Sequence, residues 1–298
     1  VLYFGFGLVN AILAPLEMYV FYMFSEGGRF YYEGFGFGAF MFANIAAQIT
    51  GYTLLAVLFI PMGYGHWKPR LWAIHLAQAA LWCWVVLGLP ISVAVLFVFV
   101  TSKEPSVMLV VAALALTALL YLVVPWLMLR FYRSEKVIQT IEKQAGAQGE
   151  VLDQENAPAV GSLLLGMLCV LYAALTWLSI FFNGAFPFFG RLATGFGGIQ
   201  LITAGVLVLL ALAWGAFTRR RWAWWGALVY FSAFTLSSIL TLGRYPFGAL
   251  LDQMRFAPLE MEALGNLPIQ DVHLTAFAAL PLGLTIVAVI ATRRVFSK

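Results

Sequence analysis

The chain is poor in charge. Asp, Glu, Lys and Arg make up 10% of its 298 residues, against roughly 25% in an ordinary soluble domain. Hydrophobic residues reach 63%, and a water-soluble fold of this length cannot hide so much apolar surface. Cysteine is nearly absent: Cys83 and Cys169 each stand inside an apolar run without a Cys or His neighbour in sequence, and both read as small hydrophobes. Only three histidines occur, and no HExxH, CxxC or carboxylate-rich spacing accompanies them. His75 falls about a turn inside the third apolar run, His273 at the start of the eighth and His66 in a connection, so no two share a depth as facing haem ligands do. No cofactor is therefore expected. Also missing is the basic stretch, short apolar core and small-residue cleavage site of a signal peptide; the apolar start at Val1 reads as a first span, with residues expected to precede it.

What is abundant is apolar sequence in bilayer-length pieces. Runs fall at about 1–24, 39–61, 71–100, 106–132, 160–182, 196–217, 221–242 and 272–293, each near the roughly 20 residues that a spanning helix needs. A membrane barrel would show alternating segments of about ten residues instead, and none is present. The expected fold is an all-α polytopic bundle of about eight transmembrane helices in a lipid bilayer.

The net charge of +4 and the pI near 9.1 are not a nucleic-acid footprint, because the cations cluster at the ends of the apolar runs. One set of ends carries Lys68, Arg70, Arg130, Arg133, Lys136, Lys143, Arg219, Arg220, Arg221, Arg293, Arg294 and Lys298. The other carries Arg29, Lys103, Arg191, Arg244 and Arg255. The positive-inside rule places the richer set, and with it both termini, in the cytoplasm of a bacterial-type inner or plasma membrane.

The longest polar stretch, 134–159, divides the chain into a first transmembrane half, 1–133, and a second, 160–298. The fourth helix is expected to project through Val137, Ile138 and Ile141 before this linker becomes flexible. Residues 7–24 align without a gap on 166–183, setting Ala14-Pro-Leu-Glu17 opposite Ala173-Ala-Leu-Thr176. Gly65, Arg70, Trp72 and Ala73 fall opposite Gly215, Arg220, Trp222 and Ala223, and each half has a Gly-Phe-Gly in its first loop, at Gly34 and at Gly195. Two parallel four-helix repeats are the expected organisation.

Glu17 is the only charged residue well inside an apolar run. Asn44 and Gln48, one turn apart on the returning second helix, lie at a comparable depth. At 1.5 Å per residue Glu17 is roughly 10 Å and Gln48 roughly 13 Å from the helix ends. A polar cluster of Glu17, Asn44 and Gln48 is thus geometrically allowed, either as a proton or substrate site or as interhelical glue. At the basic end, Arg219, Arg220, Arg221 and Trp222 suit lipid headgroups or an interfacial anchor.

The opposite loops are aromatic and glycine-rich, at 29–37, 186–191 and 244–248. Interface-seeking aromatics explain most of this, and a docking surface for a lipid-like molecule or a neighbouring subunit is the further possibility. The 243–271 loop is expected to hold one or two short surface helices interrupted by Pro258. Three function classes remain. A non-enzymatic accessory or scaffolding subunit stands first, a transporter or lipid-handling protein using Glu17 second, and an intramembrane enzyme third, for want of convergent polar groups.

Overall fold

The computed structural model describes residues 2–24, 39–101, 107–147, 158–256, 258–265 and 271–297. Its eight long apolar helices have the length and composition to cross a membrane, and the chain is an integral membrane protein. In hydrocarbon every backbone N–H and C=O must be satisfied within the chain, and helices meet that demand segment by segment.

The first three spans are α1 (Leu2–Phe24), α2 (Ala39–Trp67) and α3 (Leu71–Thr101). The fourth is built from α4 (Val107–Ala118), a π-helical turn (Leu119–Val123) and α5 (Val124–Tyr132). Pro125 cannot donate a backbone hydrogen bond, and the π turn just before it absorbs the break, with the N–H of Val124 reaching Leu119. The wider turn carries the Tyr121 ring onto Gly88 of α3, where any Cβ would collide with that ring.

The expected continuation of the fourth helix into 134–141 is not what forms. The helix ends at Tyr132, the chain turns at Arg133, and a separate helix α6 (Glu135–Ala147) begins, with the Ser134 carbonyl accepting from Val137 and Ile138. The second half follows with α7 (Val160–Leu178), α8 (Gly195–Phe217), α9 (Arg221–Leu242), α10 (Phe247–Met254), α11 (Pro258–Gly265), α12 (Asp271–Ala291) and the short α13 (Arg293–Phe296). Pro258 starts α11 instead of interrupting a helix, since the first helical position needs no N–H donor.

Strand structure was not expected, yet β1 (Phe186–Phe188) and β2 (Arg191–Ala193) pair antiparallel between α7 and α8. Their two-residue turn has positive φ at both Phe189 and Gly190, as a tight hairpin requires. The hairpin is pinned to α9. Ser237 Oγ accepts from Phe189 N at 2.8 Å and donates to the Pro187 carbonyl at 2.8 Å, while Thr241 Oγ1 accepts from Gly190 N at 3.0 Å.

The largest buried cluster belongs to the second half, around Leu165, Leu209, Phe231 and Val289, with no measurable exposure at any of the four. Two hydrogen bonds cross it, from Trp224 Nε1 to the Val289 carbonyl (2.8 Å) and between Tyr172 and Thr285 hydroxyls (2.9 Å). A second cluster joins the halves, where Ala79, Cys83 and Val86 of α3 meet Leu164 and Leu168 of α7 and Ala288 of α12. Cys83 and Cys169 are both unpaired and buried.

The joints α2–α3 and α8–α9 use one device. Arg70 N bonds to the Gly65 carbonyl (2.7 Å) and Arg220 N to the Gly215 carbonyl (2.8 Å). At both glycines a Cβ would strike the following indole, Trp72 or Trp222. This explains the matched Gly, Arg, Trp and Ala spacing.

Candidate functional site

The most connected polar group of the described residues lies at the basic end of the first half. Its position follows from a close helix crossing. A Cβ at Gly63 would run into the Phe4 backbone, and one at Gly7 would lie 2.7 Å from Ile60 N, so α1 and α2 touch backbone to backbone. That contact sets Tyr3, in the first turn of α1, beside His66, in the last turn of α2, with ring centroids 5.1 Å apart. Tyr132, at the end of α5, completes the set, and its side chain is buried.

The protons in this group can be assigned. His66 Nδ1 lies 2.7 Å from the Met62 carbonyl, which only accepts, so Nδ1 carries the hydrogen and Nε2 of the neutral ring is left to accept. Tyr132 Oη, 3.2 Å from Nε2, donates to it. Its single proton is then committed, and the Tyr3 hydroxyl at 2.8 Å donates to Tyr132. A chain of donors thus runs from Tyr3 through Tyr132 and His66 to the α2 backbone. Gln78 Nε2 of α3 donates to the Tyr132 carbonyl at 3.1 Å, so all four spans of the first half meet here. Such a chain locks three helix ends to α3, and its ordered hydroxyls and imidazole are of the type that relays a proton.

Sequence reasoning missed this site. His66 was expected in a connection, but α2 runs six residues beyond its apolar stretch to Trp67 and takes His66 into the helix. The apolar run at 39–61 ended at Pro61, which the helix accommodates. A phenol at either end of a half was the only available hint.

The three residues expected to cluster around Glu17 are not joined by hydrogen bonds among the described residues. Glu17 and Gln48 are half-buried and Asn44 is exposed. Several other polar side chains in the spans are satisfied on their own helices. Asn10 Nδ2 donates to Phe6 O at 2.8 Å, Thr53 to Ile49 O, Ser92 to Gly88 O, Thr203 to Ile199 O and Thr235 to Phe231 O, all one turn back on their own helices. The Tyr230 hydroxyl is the one fully buried side-chain atom of the described residues without a partner, facing Gly205.

At the α8–α9 joint, Arg219 adopts a left-handed backbone with φ of 55° and Arg220 caps α9. Arg221 donates from Nη2 to the Ser297 carbonyl at 3.3 Å, tying down the C-terminal segment, and Trp222 seals Gly215 while remaining half exposed. These residues therefore have structural work at the joint besides any headgroup contact. His75 Nδ1 donates to the Pro158 carbonyl at 2.8 Å, fastening the start of the second half to α3. His273 sits against Phe97, with centroids 4.4 Å apart. Of the aromatic, glycine-rich loops, 186–191 is the hairpin, whereas 29–37 lies outside the described residues. Among the described residues no three His, Cys, Asp or Glu side chains come together to hold a metal.

No protein-family model, curated protein or solved structure matches the chain.

Proposed function

We propose that this protein is a non-enzymatic accessory or scaffolding subunit of a membrane complex, assembled through the first two spans and their polar residues Glu17, Gln48 and Asn44. The supporting observation is the contrast in polar satisfaction. Asn10, Thr53 and Ser92 are satisfied on their own helices, whereas Glu17, Gln48 and Asn44 have no hydrogen-bond partner within the chain among the described residues. A carboxylate about 10 Å inside a helix end is costly in hydrocarbon, and a helix of a neighbouring subunit removes that cost by offering a donor. Around Glu17, Ile12, Leu16, Met18 and Tyr19 all stand exposed, an apolar rim for such a helix. We place both termini in the cytoplasm, on the side of the cation excess, and read the two halves as parallel repeats.

A second reading is proton-coupled transport or lipid handling through Glu17. The ordered Tyr3, Tyr132 and His66 chain favours it, as a proton path from the basic end would begin with such groups. One substitution separates the readings. Mild-detergent extraction of the native protein is expected to give a mass well above that of one chain by mass photometry, and Glu17→Gln to reduce it to the monomer. A monomeric native particle would end the subunit reading. Loss of proton-coupled flux in vesicles by a monomeric Glu17→Gln protein would establish the other.

A further inference from the structure

We infer that the seam between α3 and the fourth span is a binding site for one anionic phospholipid of the leaflet at the basic end. The seam is an open trough. Leu89, Val93 and Leu96 of α3 face Ala113, Leu114 and Leu122 in its outer part. Trp82 and Val85 face Leu122, Val123, Trp126 and Leu129 in its inner part, which encloses about 370 Å³. Leu122 lines both parts, so they are continuous. From Trp82 to Leu96 the trough follows α3 for about 21 Å, at 1.5 Å per residue, which is acyl-chain length within a hydrocarbon core of about 30 Å.

The trough offers an acyl chain nothing polar to avoid. Ser92 and Thr117 lie on its wall, but their hydroxyls are bonded to the Gly88 and Ala113 carbonyls of their own helices.

Charge decides the headgroup. The two indoles that line the inner end each carry a guanidinium: Arg133 lies over Trp82 at 5.5 Å and Arg130 over Trp126 at 5.7 Å. The stacks hold the arginines at the mouth of the trough, and among the described residues neither is paired with a carboxylate. Stacking uses the guanidinium face and leaves its N–H edge free for phosphate oxygens. Arg130, in the last turn of α5, and Arg133, at its C-cap, bracket a single phosphodiester. A basic pocket between spans on the cation-rich side is the setting in which acidic headgroups bind. The site is separate from the α8–α9 joint and does not depend on Glu17.

The full chain in nanodiscs of dioleoyl phosphatidylcholine, titrated with dioleoyl phosphatidylglycerol, tests this by native mass spectrometry and thermal unfolding. One tightly held phosphatidylglycerol and a raised Tm are expected, with no such effect from added phosphatidylcholine. Arg130→Gln with Arg133→Gln should weaken retention by about tenfold or more, as loss of charge-assisted hydrogen bonds implies. Leu122→Trp, at an exposed position, fills the trough and spares both arginines, so it should weaken retention too, while Arg219→Gln should not. Equal retention of the two lipids, or wild-type retention in both groove variants, would overturn the site. So would a photo-cross-linker at Leu114 that captures a protein helix in place of lipid.

Discussion

The two halves have the same number of spans and similar composition, yet they are packed differently. In its most apolar stretch the fifth span is 44% buried, the sixth 33% and the seventh 28%, while the first and second reach 11% each and that stretch of the fourth none; the third and eighth are alike at 22%. The second half closes on itself around Phe231 and is stitched by Trp224, Tyr172 and the hairpin bonds of Ser237 and Thr241. Among the described residues the first half is clamped at its basic end by the Tyr3, Tyr132, His66 and Gln78 group, and its fourth span leans on α3. Self-contained packing and outward-facing packing thus coexist in one chain. In a bilayer the second kind leaves surfaces to lipids or to other helices.

The contrast predicts unequal sensitivity to truncation. Phe231→Ala in the second core should cost about 3–5 kcal/mol, whereas Leu116→Ala on the fourth span should change stability by less than about 0.5 kcal/mol. Denaturant unfolding of the two variants in the same micelles checks this, and equal losses would break the contrast. Next in size, Gly63→Val drives a side chain into the α1 backbone and should cost about 1–3 kcal/mol. Hydrogen exchange sharpens that result: protection should fall in α1 and α2 and stay unchanged in α7 to α9.

Ser237→Ala removes two of the three α9 bonds that seat the hairpin, a local loss of about 1–3 kcal/mol, and should speed exchange at Phe189 without changing the first half. Smallest is Tyr132→Phe, about 1 kcal/mol, which leaves His66 Nε2 without its donor. The ¹⁵N resonance of that nitrogen should move on substitution. A fixed resonance would mean that the tyrosine does not donate to it.

The spans were legible in the sequence because hydrocarbon imposes one coarse rule: six of the eight apolar runs end within two residues of the helices, and the fifth overshoots α7 by four. The other exception, α2, passes Pro61 and reaches Trp67, because helix continuity is decided by backbone bonding as well as hydropathy. The Gly65 and Gly215 joints were legible for a steric reason, since only glycine admits the following indole. The hairpin was not: Phe189 at φ of 43° replaces the Asn, Asp or Gly that would announce a tight turn, and Ser237 on a distant helix holds it there. The His66 site was hidden likewise, being assembled from three helix ends that are remote in sequence. Glu17 was visible by its charge alone, while its half-buried placement depends on how α1 rests on α2.

A photo-cross-linker placed at Leu16, beside Glu17, in intact native membranes tests the outward-facing first half most directly. The account predicts a discrete protein adduct from Leu16 that disappears with Glu17→Gln, and none from Leu207 on the exposed face of the sixth span. Lipid adducts alone from Leu16, the same as those from Leu207, would contradict it.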